Sequence, residues 1–279
     1  MDLDWQDRLK AIHDSPTYRL AEDDTVFMES DAARASRLAL EFRRADLYLR
    51  EQRINSTVVV FGSSRILAPD IARQSLDRLE HQQPTVAEVA EHARQVAKAR
   101  TALVYSRYYE EARQLGEALA HRRGSDGHDF VVVTGGGPGI MEGANRGAIE
   151  AGGPSIGFNI RLPSAQEPNP YITPTLAFRF HYFALRKMHF LLRARALVAF
   201  PGGYGTLDEL FESLNLVQTR TIYPIPIVLV GSEHWRRVVD FEFLVAEGLI
   251  SESDRELLTV VDSGREAAQR ILDFYGAGL

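Results

Sequence analysis

The chain has no cysteine and very little lysine. The absence of cysteine excludes disulfides, thiolate catalysis and cysteine-ligated metal. Lysine stands only at Lys10, Lys98 and Lys187 among 32 basic residues, so lysine chemistry has three candidates at most. No tract of clustered basic residues stands out and the net charge is -6, which argues against nucleic acid as a partner. Long apolar runs are missing too. Ile225-Pro226-Ile227-Val228-Leu229-Val230 is among the longest and is far too short to cross a bilayer, so no membrane contact is expected. The opening Met1-Asp2-Leu3-Asp4-Trp5-Gln6-Asp7 is acidic and has neither the basic start nor the apolar core of a secretion signal. A soluble, cytoplasmic protein is the expectation. What remains is an ordinary globular composition over 279 residues, 45% hydrophobic and 25% charged.

The informative part of the chain is a pair of glycine-rich turns. Val131-Val132-Val133-Thr134 runs into Gly135-Gly136-Gly137-Pro138-Gly139-Ile140-Met141-Glu142. Leu197-Val198-Ala199-Phe200 runs into Pro201-Gly202-Gly203-Tyr204-Gly205-Thr206-Leu207-Asp208-Glu209. A buried strand, a glycine turn and a helix start together present free backbone N–H groups to an anion. Two such turns predict neighbouring strands of one parallel sheet that share a phosphate-bearing ligand. The first turn lacks the Lys-Ser/Thr pair of a Walker motif and is not a clean dinucleotide fingerprint either; the strand ending Asn159-Ile160-Arg161 offers no acidic residue for a ribose.

Both turns also have a purely structural explanation. Gly139, Gly143 and Gly147 recur every four residues and would let a helix lie close against the sheet. Thr206-Leu207-Asp208-Glu209 has the spacing of a capping box, in which Glu209 would only reach back to the helix start. Pattern alone favours that cap. Between the turns, Arg186-Lys187 lies in an apolar helical segment, where two cations call for anionic partners such as Glu209 or a bound phosphate. His181 and His189 form no metal-ligand pattern, Ser63 has no base beside it, and neither a metal nor a cofactor is expected.

Apolar β-branched runs alternate with helical patterns along the chain, which predicts an α/β, Rossmann-like, doubly wound parallel sheet with helices on both faces. Strands are expected at Val58–Phe61, Val131–Thr134, Ser155–Ile160, Leu176–Phe180, Leu197–Phe200, Ile225–Val230 and Leu258–Val261. Helices are expected at Ile140–Ala151, Phe183–Arg195, Thr206–Thr219, Trp235–Glu247 and Gly264–Tyr275, and residues 161–175 read as a proline-rich loop. Residues 1–53 form an N-terminal extension, polar and partly irregular to 29 and helical from 30. Residues 54–279 form one nucleotide-binding domain, with a helical insertion near 85–105.

The first glycine motif, then Arg186-Lys187, then the second glycine motif with its Glu209, in that order, resemble the Lonely Guy (LOG) family, whose members are often labelled lysine decarboxylases. The resemblance runs from about Thr57 to Val261. It implies a phosphoribohydrolase that cleaves the N-glycosidic bond of a purine nucleoside 5′-monophosphate, such as AMP or a cytokinin riboside monophosphate, to free base and ribose 5-phosphate. It implies Arg186 and Glu209 as the catalytic pair. Substrate contacts are expected from Gly135, Gly136, Gly137, Gly139, Met141, Glu142, Lys187, Gly202, Gly203, Gly205 and Thr206. It also implies a homodimer or higher homo-oligomer, to which the arginine- and aromatic-rich segments at 30–53 and 178–190 add a compositional argument. The alternatives are a non-catalytic nucleotide sensor of the same fold, which has no need of Arg186 together with Glu209, and a pyridoxal phosphate decarboxylase, for which Lys187 is the one plausible Schiff-base lysine.

Overall fold

A computed structural model describes residues 4–120, 122, 126–163 and 167–276. Residues 1–3 and 164–166, on which the sequence reading also drew, lie outside them. The chain divides into two compact units, 1–46 and 47–279, with the boundary inside a helix.

The first unit is more helical than its polar composition suggests. It holds α1 (Trp5–His13), α2 (Thr25–Glu29) and the start of α3 (Arg34–Glu51). Asp24 caps α2 by accepting from the Phe27 N–H at 3.0 Å. The Arg37 guanidinium donates to the carbonyls of Met28 and Ser30, which ties the connection between α2 and α3.

In the second unit the strands are β1 (Thr57–Phe61), β2 (Val131–Thr134), β3 (Ser155–Ile160), β4 (Ala177–Phe180), β5 (Ala194–Ala199), β6 (Ile227–Val230) and β7 (Leu258–Val261). Among the described residues they form one parallel sheet in the order β4-β3-β2-β1-β5-β6-β7. β1, β2 and β6 are buried along their whole length, as both-face coverage requires. The helices are α4 (Pro69–His81), α5 (Val89–Tyr105), α6 (Arg107–Leu119), α7 (Ile140–Glu150), α8 (Phe183–Leu192), α9 (Tyr204–Gln218), α10 (Ser232–Val238), α11 (Phe241–Ala246), α12 (Glu252–Arg255) and α13 (Gly264–Phe274). Val58 and Val60 point into a core shared with Tyr109, Ala112 and Leu115 of α6, Ala144 of α7 and Ile271 of α13. The alternate residue Phe61 meets Phe190 of α8 edge-on, with ring centroids 5.0 Å apart, on the opposite face. The sheet is therefore doubly wound, as its alternating pattern predicts.

Several local expectations change. The two glycine turns are not on neighbouring strands: β1 lies between β2 and β5. The chain winds outward from β1 to β4 and then returns to β5 on the other side of β1, so the topological switch lies between β1 and β5. Gly143 and Gly147 do not face the sheet. A Cβ at either would meet the backbone of α6, at Tyr109 O and Arg113 O, so these glycines let two helices touch. The Trp235–Glu247 pattern is two helices, because Val239 is extended and Asp240 starts a new helix by accepting from Phe243 N–H at 2.9 Å. The helical segment from Phe183 ends at Leu192 and β5 begins earlier than its apolar run, where Thr57 N–H donates to Arg193 O at 2.8 Å. Most of the span 85–105 forms α5, tied back to α4 by Arg100–Glu80 at 2.8 Å.

Candidate active site

Three loops meet at the C-terminal ends of β1, β2 and β5. Ser63 stitches them together. Its N–H donates to Pro201 O at 3.0 Å, and its carbonyl accepts from Ile140 N–H at 3.1 Å. The approach is close enough to demand glycine. Gly139 has φ +76, and a Cβ there would sit 2.4 Å from Ser63 O.

The loop after β2 is held by buried polar side chains. Thr134 Oγ1 accepts from Gly136 N–H and donates to Asn145 Oδ1 at 2.7 Å. Asn145, fully buried, donates to Ser155 Oγ, and Asn169 donates to Asn145 Oδ1 and Gly137 O. Such a satisfied network fixes one loop geometry, since each of its groups would be costly to leave unpaired.

The loop after β5 feeds straight into α9. Gly203 is its N-cap and supplies no side chain, and the first intrahelical bond is made by Leu207 N–H to Gly203 O at 3.0 Å. The N–H groups of Tyr204, Gly205 and Thr206 precede that bond and point out of the helix start. This corrects the capping-box expectation. The helix begins two residues before Thr206, so Thr206 and Glu209 lie inside its first turns and Glu209 is free for another partner.

That partner is Arg186. Its Nη2 donates to Glu209 Oε1 at 2.9 Å, with side-chain exposures of 12% and 13%. The guanidinium lies over the rings of Phe183 and Phe190, at 5.1 and 5.6 Å from their centroids. Burial pushes the Glu209 carboxyl up to about 7, against the opposing pull of Arg186 and Lys187. Burial also lowers Arg186, opposed by the charge of Glu209.

These groups line one cavity of about 680 Å3 at the switch point, a volume that suits a nucleotide-sized ligand. Of the residues expected at the site, Gly135, Met141, Arg186, Gly203, Gly205, Thr206 and Glu209 line it. Gly136, Gly137 and Gly139 are not among the lining residues; Gly136 and Gly139 give the loop its positive-φ positions. Gly202 packs on Thr206, whose Oγ1 would lie 2.1 Å from a Cβ. Glu142 turns away and accepts from Tyr109 OH at 2.8 Å. Lys187 also stays out of the lining: its Nζ is 2.7 Å from Asp208 Oδ2 and 3.0 Å from Glu212 Oε2. At Gly203 and Gly205 a Cβ would meet nothing within 4 Å, so no neighbour within the fold requires glycine there. Among the described residues no group of three or more His, Asp or Glu side chains is placed to hold a metal ion.

Sequence reasoning missed the β1 loop. Gly62, Ser63, Ser64 and Arg65 line the cavity, as do Ile160, Leu162, Phe183 and Tyr204. The available signal was Gly62 directly after a buried β-branched run, the same grammar as the two turns that were recognised.

A family model described as "Possible lysine decarboxylase" matches residues 141–271. One curated relative is a probable cytokinin riboside 5′-monophosphate phosphoribohydrolase of Oryza sativa subsp. japonica, 27% identical over 60% of this chain and 66% of its own length. Two cytokinin riboside 5′-monophosphate phosphoribohydrolases of Arabidopsis thaliana also match. One is 32% identical over 32% of this chain and 42% of its own length, the other 28% identical over 60% and 75%. The chain thus spans 66% and 42% of the first two of these relatives. Solved structures with a similar chain path include the molybdenum cofactor carrier protein of Chlamydomonas reinhardtii, with TM-score 0.46 and 19% identity over 80% of this chain and 99% of that one. The molybdenum cofactor binding protein of Rippkaea orientalis follows at 0.44 and 18%, over 80% and 98%. Among the described residues no helix is long and apolar enough to cross a membrane.

Proposed function

Because the chain is related to the Lonely Guy proteins that it matches, we propose that it hydrolyses the N-glycosidic bond of a purine nucleoside 5′-monophosphate, AMP or a modified AMP, to free base and ribose 5-phosphate. One observation carries the reading. A buried Arg186–Glu209 pair and the open N-terminus of α9 face the same cavity. An anion site and a carboxylate side by side suit a phosphorylated sugar.

On this reading the 5′-phosphate lies against the N–H groups at the start of α9, where Gly203 and Gly205 leave room for its oxygens. Thr206 adds a hydroxyl to that wall. The ribose then lies toward Glu209. Departure of the base leaves positive charge on the anomeric carbon and ring oxygen, and the Glu209 carboxylate stabilises it. Water attacks that carbon and supplies the new hydroxyl; its proton balances the one taken up by the base. Arg186 holds the carboxylate in place and keeps part of the population ionised, opposing the burial that raises it. The base lies along the apolar half of the cavity, built by Met141, Ile160, Leu162 and Phe183.

The same cavity argues against Schiff-base chemistry at Lys187, whose amine is held by two carboxylates outside the lining. We further propose a homodimer. Met188 and Leu192, one turn apart on α8, are about half exposed, and Phe183 is exposed at the cavity rim.

The test is incubation of the purified protein with AMP, other nucleoside monophosphates and adenosine, followed by chromatography of the free base. Release from AMP and little from adenosine is expected, because the phosphate anchors the substrate. Tight binding of nucleotide without base release would leave a sensor, and equal turnover of adenosine would overturn the phosphate anchor.

A further inference from the structure

The ionisable side chains that line the cavity do not balance. Arg186 and Glu209 compensate each other. The one other Lys, Arg, Asp, Glu or His among the described lining residues is Arg65. It is exposed, and no described residue forms a salt bridge with it. The cavity therefore presents one uncompensated cation in addition to the partial positive charge at the start of α9.

The position of Arg65 is set by the fold. Its own N–H donates to Ser63 Oγ at 3.1 Å, which curls the β1 loop into a turn. Two residues earlier along that turn, Ser63 N–H is bonded to Pro201 O, directly before the glycines that start α9. The sheet order places the β1 loop beside the β5 loop at the switch point. Arg65 thus rises from the loop tied to the anion-binding turn, while that turn itself carries no basic side chain from Pro201 to Glu209.

We propose that Arg65 is a second ligand for the terminal phosphate, closing on it from the β1 side while the α9 N–H groups hold it from the β5 side. This rests on the nucleotide reading above. A phosphate monoester carries close to two negative charges at neutral pH. One helix start offers about half a charge, so a guanidinium that reaches the same group supplies what the helix lacks. Arg65 acts here as a binding and specificity residue: it selects phosphorylated over unphosphorylated sugars.

The experiment compares wild type, Arg65→Ala and Arg65→Lys in two assays. In the first, kcat/KM is measured for AMP and for adenosine. Arg65→Ala is expected to reduce the preference for AMP by about tenfold or more through KM, the scale of one charge-assisted contact. Arg65→Lys should restore part of it. In the second, calorimetry measures binding of ribose 5-phosphate, which needs no turnover. Wild type should bind it at least about tenfold more tightly than Arg65→Ala. If no nucleotide is ever cleaved, the reaction proposed above fails, while the calorimetric difference still decides Arg65. Unchanged affinity for ribose 5-phosphate in a folded Arg65→Ala protein overturns the proposal, as does equal loss toward AMP and adenosine.

Discussion

At the scale of single residues, Glu209 decides the most. Its environment makes two opposed demands: burial favours the neutral acid, while Arg186 at 2.9 Å favours the carboxylate. The outcome is a carboxyl that titrates near neutrality. If the ionised form stabilises the transition state, base release should rise with pH through about 7 and level off above it. Glu209→Gln keeps an oxygen that accepts from Arg186 but loses the charge. Turnover should fall by about 100-fold or more and the acidic limb of the profile should vanish. Near-normal turnover in that variant would leave Glu209 structural. Stability follows the same proton. The folded carboxyl titrates near 7 and the unfolded one near 4.5, so between these values the folded chain retains a proton that the unfolded chain has lost. This group's contribution is therefore full below about 4.5, declines as pH rises to about 7 and is flat above. Melting curves across that window should show a shallower decline for Glu209→Gln than for wild type.

At the scale of elements, the glycines of the β5–α9 turn separate into two kinds. Gly202 is required by packing, since a Cβ would meet Thr206 Oγ1 at 2.1 Å. Gly205 lies in the first turn of α9, with open space where its Cβ would be. Gly202→Ala should therefore destabilise by roughly 1–3 kcal/mol through overpacking. Gly205→Ala should be neutral or stabilise by up to about 1 kcal/mol, because alanine favours the helix. Its methyl group nevertheless intrudes where the phosphate is proposed to lie, so KM for AMP should rise about tenfold or more. Chemical denaturation and steady-state kinetics on the two variants measure both. A Gly205→Ala protein with wild-type KM would remove the phosphate from the start of α9.

At the scale of the whole molecule, the exposed apolar side chains of α8 bear on assembly. Light scattering should report about twice the 31.3 kDa chain mass, and Met188→Glu should shift the protein toward monomer, since a charge would be buried in the contact. A monomer that retains full activity would defeat the homodimer. The same scale shows which features were legible in advance. The parallel sheet was, because strands buried on both faces must be continuous β-branched runs and each was followed by a helical period. The glycine turns and the need of Arg186 for an anionic partner were, because strand–glycine–helix grammar and a cation in an apolar helix are local patterns, whereas local pattern read Glu209 as a cap. The start of α9 differs from the expected one, because the T-x-x-E spacing describes a cap equally well and only the folded backbone, with Leu207 N–H bonded to Gly203 O, puts the helix start two residues earlier. Arg65 went unseen because a single arginine after Gly-Ser-Ser has no pattern of its own. Strand order is set by long-range pairing, and it placed β1 between the two recognised turns. That one non-local fact brought the β1 loop to the cavity. It also set Arg186, carried on the helix before β5, against Glu209, carried on the helix after it, and left Lys187 to Asp208 and Glu212 on the outside. Local chemistry was written in the sequence; which groups share one cavity was decided by the winding of the sheet, because contacts between distant residues depend on topology that no local period encodes.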